Sequence, residues 1–280
     1  MWSNYHSHCN YCDGKGQLAD YAAKAESVGM KSIGFSSHAP VPFDLTWAMS
    51  MADLQSYLSE IEALQKTSSI QLYKGLEIDF IPGRVSPNDF KSKLDYTIGS
   101  VHFVDYFPDG RPWEIDGSPI VFRDGLNQIF NGSFRDAVTR YFELTLQMID
   151  KACPTIIGHL DKIKIQNHDG QFFSESDSWY QHSVTEVLNK IADSGAIVEI
   201  NTRGLYQRKS HTPYPSPWVI ELMRLRHIPI TLCSDAHTPD DLINQFPETA
   251  ALLFTLGYRK ISILRDGSWE SVNLTPDGLV

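Results

Sequence analysis

Trp2-Ser3-Asn4-Tyr5-His6-Ser7-His8 reads as a short strand ending in two imidazoles, and the same arrangement recurs along the chain. His38 follows Ile33-Gly34-Phe35, His102 follows Thr97-Ile98-Gly99-Ser100-Val101, His159 follows Thr155-Ile156-Ile157, and His237 follows Ile230-Thr231-Leu232-Cys233. The carboxylates Asp13, Glu77, Asp161 and Asp235 lie in or beside these junctions. Histidines scattered over a surface would not select strand ends so consistently. Parallel strands bring such ends to one face, where an α/β barrel carries its chemistry. Imidazoles and carboxylates are ligands for zinc, iron or manganese, and so large a pool implies more than one ion.

Away from these junctions, strand and helix signals alternate. A strand near 2–6 leads through Asp13-Gly14-Lys15-Gly16 to a helix over about 17–28 that Gly29 closes. Lys31–Ser36 predicts a second strand. Ser50 and Asp53 suit the start of a helix reaching about Thr67, with Leu54, Leu58, Ile61 and Leu64 at helical spacing. Strands follow near 71–79 and 95–101. A helix is expected over Phe134–Ala152, a strand over Thr155–Gly158, a helix from Ser174 to near Gly195, and a strand over Ala196–Ile200. Ser216-Pro217 and Thr238-Pro239 each read as an N-cap with proline at the first helical position. Ile228–Cys233 and Arg259–Leu264 supply the last strands, and the tail from Arg265 reads as turns. Repeated βα units favour a parallel sheet clothed by helices, and chemistry at nearly every strand end favours closure into a barrel.

The stretch 103–132 breaks this rhythm. It is rich in Asp, Gly, Pro and aromatics without a sustained period, so it reads as an irregular insert or lid. Residues 1–280 are otherwise expected to form one domain, since barrels of this length are commonly single units.

The formal charge of −10 disfavours extended nonspecific nucleic-acid binding, while small anions can still be drawn to buried cations. No apolar run is long enough to predict a membrane span or a signal segment, so no membrane partner is expected and the cytoplasm is the expected location. Four cysteines are too few for a disulfide scaffold. Cys9-Asn10-Tyr11-Cys12 has the spacing of a redox pair or half a zinc site, but no second CxxC completes a tetrahedral set. The plainer reading is two small side chains in a crowded loop.

On an extended strand, residues i and i+2 share a side, so His6 and His8 can reach one ion. Asp235 and His237 repeat that spacing, and first and last strands adjoin in a closed barrel. Glu77, within Gly75-Leu76-Glu77-Ile78-Asp79, is a carboxylate in a strand otherwise able to be buried. Unpaired, it would cost several kcal/mol there. A metal would neutralise it, and its two oxygens can bridge two ions.

Together, His6-x-His8 with Asp13-Gly14, Gly34-Phe35-x-x-His38-Ala39-Pro40, Gly75 to Asp79, Gly99-Ser100-Val101-His102, Gly158-His159-Leu160-Asp161 and Ser234-Asp235-Ala236-His237 resemble the polymerase and histidinol phosphatase (PHP) superfamily. The motifs stand in that family's order over about residues 2–240. Glu199-Ile200-Asn201-Thr202-Arg203-Gly204-Leu205 and Tyr214-Pro215-Ser216 resemble its histidinol-phosphate phosphatases. The resemblance implies an α/β fold, a distorted TIM-like (β/α)7 barrel, with three divalent ions (Zn, Mn or Fe) at the C-terminal ends of the strands. It implies one ion on His6, His8, Glu77 and Asp235, a second on Glu77, His102 and His159, and a third on Asp13, His38 and His237. Many members have Thr-Asp before the histidine of the second motif, where this chain has Ser36-Ser37, so a supporting carboxylate is missing there. Asp13 stands at a position that holds His or Asp in relatives.

Such a centre suits hydrolysis of a small phosphate monoester, here L-histidinol phosphate of histidine biosynthesis, by in-line attack of a metal-bridging hydroxide with inversion at phosphorus. Asp235 or His237 could protonate the leaving alkoxide through a metal-held water. Arg203 is the favoured phosphate clamp, with an ion pair to a loop carboxylate as its alternative. Lys162 and Arg208, and then Lys164 and Lys209, are further candidates. Asp105, Tyr106, Trp113, Glu114 and Asp116 could meet the substrate's imidazole and ammonium if 103–132 folds over the mouth. Two alternatives stand beside this reading. One keeps the metals but changes the substrate to a nucleotide, a phosphotyrosine protein or an oligonucleotide. The other is a noncatalytic metal-binding protein.

Overall fold

The computed structural model describes residues 1–280, apart from the side chain of His168. Its strands are β1 (Ser3–Asn4), β2 (Ser32–Phe35), β3 (Gln71–Lys74), β4 (Glu77–Asp79) and β5 (Ile98–Ser100), then a hairpin of β6 (Phe103–Tyr106) and β7 (Pro112–Glu114). β8 (Ile156–Ile157), β9 (Ile197–Asn201) and β10 (Ile230–Cys233) continue the alternation, and β11 (Lys260–Arg265), β12 (Ser268–Thr275) and β13 (Gly278–Leu279) end the chain. The helices are α1 (Leu18–Ser27), α2 (Leu54–Gln65), α3 (Pro119–Phe130), α4 (Phe134–Ala152), α5 (Ser178–Ser194), α6 (Arg203–Tyr206), α7 (Pro217–Leu225) and α8 (Phe246–Thr255).

The expected α/β alternation is present, distributed over two parallel sheets. One has the order β1-β2-β3, and the other β10-β9-β8-β5-β4. Parallel bridges join them at two corners, Ser7 with Ala236 and His38 with Glu77. The first is a backbone pair: His8 N donates to Ala236 O at 2.8 Å and Ala236 N to His6 O at 3.2 Å. These corners place His6, His8, His38, Glu77 and the Ser234–His237 turn side by side.

The gap between the sheets is filled by Tyr96. Its hydroxyl reaches the carbonyl of Tyr5 at 2.6 Å and that of Phe35 at 3.2 Å, the latter also accepting from Gly75 N at 2.8 Å. A Cβ on Gly34 would lie 2.2 Å from Tyr96 Oη, and one on Gly75 would lie 2.3 Å from Tyr96 Cζ. The fully buried ring cannot swing away. Gly34→Ala is therefore expected to cost about 1–3 kcal/mol through overpacking, read as a lowered thermal midpoint, and an unchanged midpoint would show that the ring yields.

Several expected elements differ. The stretch 103–132 is an ordered hairpin followed by a helix, which starts at Ser118-Pro119 with Ser118 Oγ accepting from Val121 N. Trp113 is wholly buried under that helix, its indole N–H donating to Phe122 O at 3.2 Å. Ser50 and Asp53 pair in a turn ahead of α2 rather than in its first helical turn, and Asp177 rather than Ser174 occupies the N-cap position of α5. Thr238-Pro239 opens one 3-10 turn, and α8 begins at Phe246.

The strand expected at Arg259–Leu264 does not join the parallel system. It pairs antiparallel with β12, in the tail expected to be turns. Asp266-Gly267 supplies the reason: both residues have positive φ, 49° and 77°, as a two-residue hairpin loop requires. Tyr5 reaches this sheet, its hydroxyl accepting from Leu264 N at 2.7 Å.

Candidate metal centre

The nine residues expected as ligands converge. Glu77, 1% exposed, is their hub. Its Oε2 lies 3.2 Å from His6 Nε2, 3.4 Å from His8 Nε2 and 3.1 Å from His38 Nδ1, while its Oε1 lies 2.9 Å from His159 Nε2 and 3.6 Å from His102 Nε2. The carboxylate thus faces imidazoles from β-strand ends on both of its oxygens. Asp235 Oδ1 is 3.2 Å from His8 Nε2 and 3.8 Å from His6 Nε2. Asp13 Oδ1 is 3.1 Å from His237 Nε2 and 3.9 Å from His38 Nε2.

Three groups bring ligand atoms within 4.8 Å of one another: His8, Asp13, His38 and His237; His6, His8 and Asp235; His38, Glu77 and His102. Among the described buried side chains, His6 Nε2, His8 Nε2 and His38 Nδ1 make no hydrogen bond. Buried nitrogen lone pairs and carboxylates aimed at common points are what a multinuclear cation site offers, so the residues fit divalent ions. The backbone at Asp235 is left-handed, with φ of 52°, which turns its carboxylate back toward the cluster.

Electrostatics follow from crowding. Burial opposes charge on every group, and the neighbours decide the outcome. His6 is held well above the ordinary histidine value because Glu199, Asp235 and Glu77 outweigh its burial. His8 is held well below it by burial and by the facing His237 and His38. Burial pushes His38 down to about 4 despite Glu77 and Asp13. Glu77 and Asp235 stay ionised against burial because His6 adjoins both.

A cavity of about 230 Å³ opens onto the cluster, lined among others by Arg203, Lys162, Lys209, Glu114, Asp116 and Trp47. Arg203 Nη1 donates to Asp235 O at 2.8 Å and contacts Asp235 Oδ1 and His237 Nδ1. Lys162 Nζ lies between Asp116 Oδ2 at 2.9 Å and His102 Nε2 at 3.2 Å. Arg208 is not at this cavity; it lines a neighbouring groove with Lys164, Lys209 and His211. Asp105 and Tyr106 lie on another face, so of the residues expected from the insert only Glu114 and Asp116 reach the mouth. Asp161 stands apart from the histidines, accepting from Lys164 Nζ at 2.8 Å and Ser216 N at 2.9 Å. The cysteines are free; Cys9 Sγ sits 3.2 Å from Ser37 Oγ and Cys12 Sγ 3.6 Å from His8 Nδ1.

The family model described as PHP domain matches residues 4–203. The chain belongs to the PHP family. Among curated relatives, a "Probable histidinol-phosphatase" of Deinococcus radiodurans is 28% identical over 92% of this chain and 94% of its own length. A "Histidinol-phosphatase" of Bacillus subtilis is 26% identical over 85% and 94%. Of solved structures, hisK from Listeria monocytogenes superposes with a TM-score of 0.77 at 22% identity, covering 88% of this chain and 99% of that one. Histidinol phosphate phosphatase from Lactococcus lactis, complexed with Zn, L-histidinol and phosphate, gives 0.66 at 18% identity over 100% and 98%. The fold is shared with both.

Three functional candidates escaped the sequence reading. Trp47 lies in a loop without periodicity, its ring 4.6 Å from that of His38. Asp79 and Glu199 stand behind histidines, Asp79 Oδ1 being 3.1 Å from His102 Nδ1 and Glu199 Oε2 2.8 Å from His6 Nδ1. The signal for Glu199 was the one used for Glu77, a carboxylate inside an apolar strand.

Proposed function

We infer that this chain is a metal-dependent phosphomonoester hydrolase acting on L-histidinol phosphate. The observation that carries the reading is one cavity in which Glu77 and Asp235, ringed by imidazoles, stand opposite the cations Arg203 and Lys162 and beside the acids Glu114 and Asp116. A dianionic phosphate suits the first half and a cationic amine the second. The names of the curated relatives and the ligands of the Lactococcus lactis protein support the same substrate.

The reading takes residues 1–280 as one domain and the two bridged parallel sheets as a distorted seven-strand barrel, with β3 and β4 as one interrupted strand. It assigns three ions, zinc, manganese or iron, to His6, His8, Glu77 and Asp235; to Glu77, His102 and His159; and to Asp13, His38 and His237. Divalent ions there supply a hydroxide nucleophile near neutral pH and neutralise phosphoryl oxygens. Arg203, held by Asp235, presents its remaining guanidinium N–H groups to the phosphate, and Lys162 adds a second positive charge. Asp235 and His237 lie at the cavity beside Arg203, where either would pass a proton to the leaving alkoxide through a metal-held water.

The test is phosphate release from a panel of L-histidinol phosphate, nucleotides, phosphotyrosine and an oligonucleotide with metal-loaded protein. Histidinol phosphate should lead by kcat/KM, and preference for any other member would reassign the substrate. Glu114→Gln is expected to lower kcat/KM for histidinol phosphate about tenfold or more, the worth of one charge-assisted contact, and to affect an aryl phosphate that carries no amine less. Equal losses on both would remove Glu114 from amine recognition.

A further inference from the structure

Glu199 is wholly buried on β9 beside the Cys233 thiol, and its carboxylate accepts hydrogen bonds from the metal centre and its supports. Its Oε2 accepts from His6 Nδ1 at 2.8 Å. Its Oε1 accepts twice, from the backbone N–H of His159 at 2.6 Å and from Asn201 Nδ2 at 3.0 Å. Asn201 extends the connection, since Nδ2 also reaches Asp235 Oδ2 at 3.3 Å and Oδ1 accepts from Arg203 N at 2.9 Å. One carboxylate therefore touches supports of two ion positions and of the phosphate clamp.

We propose that Glu199 is a positioning residue that fixes the tautomer of His6 and the placement of His159, and so ties two metal positions and Arg203 into one rigid array. The proposal rests on the metal centre described above. Once a cation displaces the Nε2 proton that the surrounding carboxylates favour, a ring that donates from Nδ1 presents Nε2 as its lone-pair nitrogen, and His6 Nε2 is the atom aimed at Glu77 and Asp235. Carboxylates behind metal-binding histidines act in this way, and their loss costs 10–100-fold in metal affinity. The position of His159 is held at its backbone instead of its ring.

The chemistry predicts which substitution separates positioning from packing. In Glu199→Gln, two N–H donors still face Oε1, so the amide oxygen stays there and the NH₂ group turns to His6. An N–H facing Nδ1 forces the ring proton onto Nε2, where the lone pair is needed. Shape and the His159 hydrogen bond persist while the tautomer inverts.

The experiment is zinc titration of metal-stripped protein against a chromophoric chelator, with heteronuclear NMR of the histidine rings and thermal melting of the stripped protein. E199Q should bind at least one equivalent of zinc 10–100-fold more weakly than wild type, with the Nδ1 proton of His6 lost and little change in the metal-free melting point. Glu199→Asp, which retains the charge, should recover part of the affinity, and it carries the titration if E199Q does not fold. Wild-type zinc affinity in E199Q, or a weakened E199Q that E199D fails to improve, would overturn the proposal. None of these readouts needs turnover, so a wild-type protein inactive on histidinol phosphate would refute the substrate assignment and leave this inference standing.

Discussion

Glu77→Gln is expected to lower kcat/KM for histidinol phosphate roughly 10³-fold or more, because metal charge stabilisation is worth several kcal/mol and each 1.36 kcal/mol is a decade in rate. The substitution removes the charge around which five imidazoles are arranged. An amide also presents N–H groups to one side of the cluster, where lone pairs would face them. Bound metal, measured by elemental analysis after dialysis, should fall with activity. A variant that keeps both its metal and its rate would remove Glu77 from the role of bridge.

Arg203→Ala should reduce kcat/KM by about 10²–10³, the usual consequence of removing one donor that stabilises transition-state charge. It would also free Asp235, whose backbone carbonyl and carboxylate both receive Nη1. Arg203→Lys should recover little, since an ammonium lacks the planar fork that can hold Asp235 and a phosphoryl oxygen together. Inorganic phosphate should inhibit both variants less than wild type. If phosphate inhibition were unchanged while only the melting point fell, Arg203 would be a structural ion pair.

Much of the site was legible because metal chemistry leaves a local mark. Imidazoles at the ends of apolar runs announce themselves whatever the helices do, and all six lie in the cluster around Glu77 or Asp235. Helix α4 was legible at both ends, its expected bounds being those observed, Phe134–Ala152. Ser118-Pro119 carried the signal that was recognised at Ser216-Pro217, and was hidden by the Asp, Gly and Pro around it. Asp266-Gly267 was likewise a hairpin signal passed over as general turn composition. Tyr96 could not have been anticipated, because its role depends on two carbonyls distant in sequence that only the assembled sheets bring together. Asp79 and Glu199 lie between these cases. Their strands were identified, but which histidine each supports depends on register between strands.

Anomalous diffraction at the metal edge, from crystals of zinc- or manganese-loaded protein with phosphate, tests the central claim most directly. The account predicts ions within about 2.0–2.2 Å of the ligating nitrogens and oxygens, with Glu77 shared between two of them and phosphate reaching Arg203. Ions bound elsewhere on the chain, with Glu77 and its imidazoles joined only to one another, would contradict it.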